Sequence, residues 1–258
     1  MADALYFQHL MISMQTECLN CGAPVDRNFC PECGQKIKTH RVTIETIVHD
    51  IPHSFFHLDK GFPFTFKQLL LRPGQAIKEY LAGKRINYFS PFAYLILMCT
   101  ISTIFFHQLE AYYDAHGVHI SYMFNQMLFP KAAEFFSHYP ALMYCALIPF
   151  ISLWSWLFNL DSGYNYWENF FLNTYLIAQM NMFLVLYYLV MVLFQFYMNL
   201  TPMFVVFFIY FGFAYFTFFN QRFTVFNLIR KIIMFLFIII TYLTGLTAAG
   251  FMTPWWNF

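Results

Sequence analysis

The feature that most limits how this chain can fold is the near absence of charged residues after residue 90. Of its 14 lysine and arginine residues, 13 lie before Phe92 or between Arg222 and Lys231, and Lys131 is the exception. Of the 258 residues 60% are hydrophobic and 10% are charged, whereas a soluble domain carries about a quarter charged residues. The composition therefore predicts an all-α integral membrane protein that contacts the lipid bilayer.

Five apolar segments are long enough, or nearly so, to cross about 30 Å of hydrocarbon as helices, which takes about 20 residues each. They belong to a predicted membrane domain at 91–258. The predicted spans are 92–109, 141–160, 169–196, 202–219 and 232–251. An odd number of spans places the two chain ends on opposite sides of the membrane.

Cationic residues give the expected orientation of these spans. Lys84 and Arg85 precede the first span, and a second basic group separates the fourth span from the fifth. Because lysine and arginine concentrate on the cytoplasmic side, we expect the N-terminus inside and the C-terminus outside. Residues 1–17 lack a basic region followed by a continuous apolar stretch, so no signal peptide is predicted. We interpret residues 1–15 as a flexible tail.

Four cysteines near the N-terminus have the spacing of a metal site. Cys18 and Cys21 form one CxxC pair, and Cys30 and Cys33 form a second pair after eight intervening residues. Four thiolates suit tetrahedral zinc, and they leave no open position for water or substrate. The pattern therefore predicts a structural zinc ribbon at residues 16–37, with Zn²⁺ as its cofactor.

The two remaining cysteines, Cys99 and Cys145, stand alone in apolar segments. We interpret them as small buried residues, with a disulfide between them as the minor alternative. The paired cysteines of the ribbon favour a reducing compartment for the N-terminus.

Residues 38–90 join the ribbon to the first span and have a mixed pattern. Apolar residues recur at helical spacing over 42–56, and Pro73 begins a short helix that Gly83 ends. Basic side chains such as Lys67 would face anionic headgroups. We therefore predict an amphipathic helical collar at the membrane surface.

The ribbon and collar also carry a family resemblance. The chain combines CxxC, FCPECGQK at 29–36, a His-Arg pair at 40–41 and FHLDKGFPFTFKQLLLRPGQAIKEYLAGKR at 56–85 with a proline-led first span. From Cys18 to about Pro91 this combination resembles a bacterial family of multi-span proteins known only as a domain of unknown function. The resemblance implies a zinc ribbon followed by a helical domain in the bacterial inner membrane, and it transfers no catalytic residue.

Three histidines offer a second metal hypothesis. His49, His53 and His57 are four residues apart, so a continuous helix would place three imidazoles on one side. Pro52 weakens that geometry. The alternative, which we favour, is that these histidines border an interfacial helix and contact headgroups or water.

Polar residues at the start of the third predicted span raise the question of a ligand cleft. Glu168, Asn169 and Asn173 are grouped there, and the carboxylate would need to be solvated by water, by amide donors or by a cation such as Arg222 or Arg230. The three residues would line a polar cleft or hydrogen-bond between helices, and the second use is the commoner one.

The function predicted from these features is docking. We recognise no catalytic motif and predict no catalytic residue. Between residues 16 and 35 the single cation Arg27 faces three carboxylates, so no nucleic-acid partner is expected. We predict a scaffold or regulatory membrane protein whose cytoplasmic zinc ribbon docks a protein partner. The alternative is a small transporter or lipid-handling protein with a cleft near Glu168, and a membrane-embedded enzyme ranks third.

Overall fold

The computed structural model of the chain describes residues 17–37, 41–43, 45, 61–116, 140–194, 201–220 and 224–252. Within these ranges the ordered elements after the ribbon are helical, which confirms the predicted all-helical class in that part of the chain. The seven α-helices are α1 (Phe62–Leu71), α2 (Pro73–Leu81), α3 (Pro91–Ala115), α4 (Pro140–Leu157), α5 (Tyr166–Phe194), α6 (Thr201–Phe218) and α7 (Val225–Met252). A 3₁₀ turn, Leu160–Ser162, follows α4.

Helices α3 to α7 occupy the five segments that the sequence predicts as spans. By length and composition, α3 and α5 are able to cross a membrane, a criterion that a buried core helix of a soluble protein also meets. In α4 and α6 the apolar stretches are shorter, Cys145–Leu157 and Val205–Phe218. The five segments are therefore helices, and their crossing of a membrane stays a prediction.

Prolines mark the first turns of the first three helices. Pro63, Pro73 and Pro91 occupy the first or second helical position, where the missing backbone N–H is not needed. Gly74 is needed for packing, because a methyl group there would lie 2.7 Å from the carbonyl oxygen of Ala214 on α6. The predicted short helix after Pro73 is thus present as α2, packed tightly on α6.

The core surrounds α5, which packs against α1, α2, α3, α4 and α6. Leu172, Tyr175 and Leu176 of α5 are fully buried. The hydroxyl of Tyr175 donates a 2.5 Å hydrogen bond to the carbonyl of Phe89, just before α3. Helix α5 is therefore the central helix, and α1, α2, α3, α4 and α6 pack around it.

The bundle buries a set of polar side chains within its apolar core and exposes large apolar side chains. Its fully buried polar side chains come mainly from α4 and α5, whereas large aliphatic and aromatic side chains of α5, α6 and α7 are exposed. The fully buried polar residues of these two helices and the turn after α4 are Ser152, Ser155, Asn159, Asn169, Asn173, Thr174, Gln179 and Asn181. The buried polar side chains and the large exposed apolar surface are the two features that distinguish this bundle from an ordinary soluble protein.

The two isolated cysteines meet between α3 and α4. Cys99 is buried as predicted, whereas Cys145 is exposed, so the prediction of a buried residue is wrong for Cys145. Both are free thiols, and their side chains lie close enough to interact. The contact brings the two helices together near the start of α4.

Other predictions fall outside the described residues. These are the tail at 1–15, most of the amphipathic helix at 42–56, and the metal set His49, His53 and His57.

Candidate metal centre and its interface with the helices

Two similar turns hold the four ribbon cysteines. In each CxxCG sequence the glycine has a positive φ, 75° at Gly22 and 74° at Gly34, which glycine adopts at no steric cost. Gly22 donates its N–H to the carbonyl of Cys18 at 2.8 Å, and Gly34 donates to Cys30 at 2.9 Å. Each turn thereby points its two sulfurs to the same side.

The four sulfur atoms converge on one point. Sγ of Cys18 lies 3.6 Å from that of Cys33, Sγ of Cys21 lies 3.5 Å from that of Cys30, and all four lie within 4.8 Å of one another. Four sulfurs bonded at about 2.3 Å to a tetrahedral zinc ion are separated by about 3.8 Å. The donor set therefore fits one metal ion, and thiolate ligands suit zinc or iron.

The surroundings act differently on the ribbon thiols and leave little other support for folding. A hydrogen bond from the backbone N–H of Cys33 lowers the pKa of Cys30 to about 7, whereas burial and the neighbouring thiols raise the pKa of Cys33 and of Cys21. The buried apolar residues of the ribbon are Cys18, Cys30 and Ile37 alone among its described residues. So small a cluster cannot balance the entropy of ordering the segment, and a bound metal would supply the missing free energy.

Gln35 attaches the ribbon to the helices. Its side chain is buried, and its Nε2 donates to the carbonyl of Gly83 at 2.7 Å. Its Oε1 accepts the backbone N–H of Arg85 at 2.9 Å and that of Ile86 at 3.2 Å. One amide two residues after the last cysteine thus makes three hydrogen bonds to the loop between α2 and α3.

Arg41 makes a second attachment, to the start of α5. Its guanidinium donates from Nε and Nη2 to the two carboxylate oxygens of Glu168, each at 2.8 Å. Nη2 also donates to the carbonyl of Gly163 at 2.7 Å, and Asn165 donates to the carbonyl of the buried Val42 at 3.1 Å. Of the partners expected for Glu168, namely water, amide donors or a cation, the structure shows a cation, but it is Arg41 and not Arg230, and Arg222 lies outside the described residues.

Glu168 has a further role that the sequence analysis missed. The backbone N–H of Asn165 donates to Glu168 Oε2, and the N–H of Glu168 donates to Asn165 Oδ1, both at 2.8 Å. This reciprocal capping box satisfies the backbone N–H groups of Asn165 and Glu168 at the start of α5. The Asn-x-x-Glu spacing before an apolar run was the available signal.

Asn169 and Asn173 are fully buried and hydrogen-bonded between helices. Asn169 accepts from the hydroxyl of Ser155 on α4 at 2.7 Å. Asn173 accepts from the hydroxyl of Tyr215 on α6 at 2.6 Å and donates to Ser152 at 3.3 Å. Of the two roles considered for these polar residues, Asn169 and Asn173 therefore have the second one, which is hydrogen bonding between helices.

Lys231 is the buried cation that the sequence analysis did not foresee. It is 2% exposed, and its Nζ donates to Asn159 Oδ1 at 2.6 Å. The ammonium also lies 4.6 Å from the ring centroid of Phe219, within the range of a cation–π interaction. The side chain of the neighbouring Arg230 forms an ion pair with Asp161, with 3.1 Å between Nη1 and Oδ2.

One comparison with known proteins gives a match. Residues 59–103 match the model of a family described as a protein of unknown function, DUF3667. No curated protein and no solved structure matches the chain. The match covers α1, α2 and the first half of α3, so it supports the resemblance to a family of unknown function there, while the ribbon and the bacterial origin stay predictions.

Proposed function

We propose that the chain is a five-span protein of the bacterial inner membrane whose cytoplasmic zinc ribbon is a docking module for a protein partner, in a scaffold or regulatory role. The observation that carries the proposal is the attachment of the ribbon. Gln35 and Arg41 hold it on the helical bundle, while its apolar side chains Leu19 and Phe29 are 41% and 59% exposed. A partner that contacts this surface would be placed at a defined position on the membrane.

The distribution of side chains supports the membrane location. Ile209 on α6 and Leu193 on α5 are 67% and 76% exposed, and many other large apolar residues of the bundle are exposed as well. An apolar surface of this extent is unfavourable in water and favourable in lipid. The buried asparagines hydrogen-bond to serine and tyrosine hydroxyls of neighbouring helices inside the bundle, as polar side chains of membrane helices do.

Contacts at one end of the bundle support the proposed orientation. Arg41 meets Glu168, Asp161 meets Arg230 at 3.1 Å, and Lys78 donates to Asn220 at 2.5 Å. These pairs join the ribbon linker, the turn after α4, the collar and the loop before α7. All four are segments that the charge pattern assigns to the cytoplasmic side.

Zinc would be held by Cys18, Cys21, Cys30 and Cys33. When bound it supplies folding free energy to the ribbon and leaves no coordination position for a substrate. Attachment of the ribbon and contact with the partner depend on other residues. Gln35 and Arg41 fix the ribbon on the helices, and Phe29 offers an aromatic side chain of the kind that dominates binding energy at interfaces.

The geometry gives less support to the alternative, a ligand cleft near Glu168. Both carboxylate oxygens of Glu168 already accept from Arg41, and Asn169 and Asn173 are occupied by serine and tyrosine hydroxyls. A ligand would have to displace these hydrogen bonds in order to bind.

Site-specific photo-crosslinking tests the docking proposal. A photoreactive phenylalanine analogue at Phe29 of the full-length protein in its native membrane should give a discrete adduct with one partner. The same analogue at Asp26, a polar and highly exposed position on the ribbon, should give much less of it. The Cys18→Ser protein should lose both the metal and the Phe29 adduct.

Metal analysis completes the test. Purified protein should contain one zinc ion per chain, and Cys18→Ser should lower this ratio towards zero. Equal adducts from Phe29 and Asp26, or an adduct that survives loss of the metal, would contradict docking by the folded ribbon. Iron in place of zinc would contradict the assignment of the metal and leave the docking proposal standing.

A further inference from the structure

A groove lies between the end of α4, the following turn and the start of α7. It has a volume of about 520 Å³, within the range of small-molecule sites. Its walls are apolar, with Leu157 and Phe158 on one side and Phe226, Ile229 and Ile233 on the other. None of its lining residues belongs to the ribbon or contacts Gln35 or Arg41.

One edge of the groove is charged. Nη1 of Arg230 lies 3.1 Å from each carboxylate oxygen of Asp161, and both residues line the groove. The Nε atom of Arg230 is buried and has no hydrogen-bond partner among the described residues. A guanidinium has five N–H donors and a carboxylate about four acceptor positions, so each group keeps capacity for a ligand.

The position of this edge matches the level of lipid headgroups. Arg230 and Asp161 lie at the end of the bundle where the proposed cytoplasmic segments gather, and α7 enters the proposed fifth span directly after Lys231. The apolar walls extend from the ion pair along the end of α4, at Leu157, and along the first part of α7, as far as Ile233. An occupant of the groove therefore needs a polar head and an apolar chain.

We propose that the groove binds one phospholipid with a phosphoethanolamine headgroup, an inference that rests on the proposed membrane location. The phosphate would accept hydrogen bonds from the free N–H groups of Arg230, and the primary ammonium would donate to Asp161. One acyl chain would lie against Phe226, Ile229 and Ile233.

Charge and hydrogen bonding select this headgroup. The Arg230–Asp161 pair has no net charge, so it complements a zwitterion, whereas an anionic headgroup has no ammonium group that could donate to the carboxylate of Asp161. A trimethylammonium group has no N–H to donate to that carboxylate. Discrimination among headgroups therefore depends on Asp161, and attraction of the phosphate depends on Arg230.

Native mass spectrometry of the full-length protein in detergent tests this site. The protein is mixed with equal amounts of dioleoyl phosphatidylethanolamine, phosphatidylcholine and phosphatidylglycerol. Retention of phosphatidylethanolamine should exceed that of the other two about tenfold, the effect of one charge-assisted hydrogen bond. Asp161→Asn should abolish the preference, and Arg230→Gln should reduce retention of all three lipids.

Arg27→Gln is the matched control, because it removes one highly exposed cation on the ribbon, away from the groove. It should leave lipid retention unchanged. If Arg230→Gln does not accumulate, the exposed Asp161→Asn decides alone. Equal retention of the three lipids by the unaltered protein, a preference for phosphatidylglycerol, or a preference that survives Asp161→Asn would overturn the proposal.

Alkaline carbonate extraction of membranes separates this outcome from the proposed function. Protein that stays in the membrane pellet but has no headgroup preference would lack the lipid site and keep its membrane location. Protein released by carbonate would not be an integral membrane protein, and both proposals would then fail.

Discussion

Arg41 and Glu168 are 127 residues apart in sequence and are joined by two hydrogen bonds of 2.8 Å. The same carboxylate accepts the backbone N–H of Asn165 and so caps α5. One buried acidic side chain therefore connects the ribbon linker to the first turn of the central helix.

Replacing Glu168 with glutamine should remove the ion pair and keep the cap, because glutamine also serves in a capping box. Arg41 is more than half exposed, so the loss should be about 1 kcal/mol, which lowers the apparent Tm by about 2–4 °C. Arg41→Gln should cost somewhat more, because it also removes the hydrogen bond to the carbonyl of Gly163, and the double variant should equal Arg41→Gln because the ion pair is already lost there. Thermal unfolding followed by tryptophan fluorescence in detergent measures these shifts, and additive effects would show that the two residues act separately.

Much of the fold follows from local sequence. The apolar runs place α3 to α7, and the prolines at 63, 73 and 91 mark helix starts, because both signals act over one or two turns. The CxxC pairs predict the convergence of Cys18, Cys21, Cys30 and Cys33 in the same way, since the spacing itself brings each pair together.

The interface of the ribbon could not be predicted from local sequence. Nothing near Gln35 indicates that its amide binds the loop at Gly83, 48 residues later, and nothing near Glu168 selects Arg41 over Arg230. Lys231 has the sequence signature of a cytoplasmic cation, but the position of Asn159 and the ring of Phe219, on other elements, makes its burial possible.

Gln35→Ala should loosen the ribbon without removing its metal. The substitution leaves the carbonyl of Gly83 and the backbone N–H groups of Arg85 and Ile86 without their side-chain partner, at a cost of about 1–3 kcal/mol. Limited trypsin digestion should cleave the segment after the ribbon about tenfold faster, while the metal content stays at one ion per chain.

Gln75→Ala is the matched control for this change, because Gln75 is exposed and makes only a long 3.5 Å contact with Glu79. It should leave the cleavage rate unchanged. Loss of metal from the Gln35 variant would mean that the ribbon must be attached to the helices in order to bind its metal. Attachment by Gln35 and metal binding by the four cysteines would then not be separate.

The contact between Cys99 and Cys145 predicts a cross-link. Mild oxidation of the purified protein should join the two thiols as a disulfide within one chain, since the two free side chains already lie close together between α3 and α4. Intact-mass analysis should show the loss of two hydrogens (~2 Da). Cys145→Ser should prevent the cross-link, and exclusively intermolecular disulfides would contradict the packing of α3 on α4.

Cysteine labelling tests the orientation and the number of crossings together. His116, at the end of α3, and Thr224, just before α7, are both exposed, and α4, α5 and α6 lie between them. Three crossings place the two positions on opposite sides of the membrane, whereas two crossings place them on the same side. In a protein that carries Cys99→Ser and Cys145→Ser, an impermeant thiol reagent applied to intact cells should label His116→Cys. Thr224→Cys should be labelled only after the cells have been permeabilised.

The labelling pattern also decides the status of the two shorter apolar helices. Labelling of both positions from outside would mean that one of α4, α5 and α6 does not cross, and α4 and α6 have the shorter apolar stretches. The opposite pattern, with Thr224→Cys labelled and His116→Cys protected, would place the ribbon outside the cell, because Arg41 and Glu168 tie it to the same end of the bundle as Thr224. The reducing cytoplasm that keeps the four ribbon cysteines available for a metal would then be lost, and the zinc assignment with it.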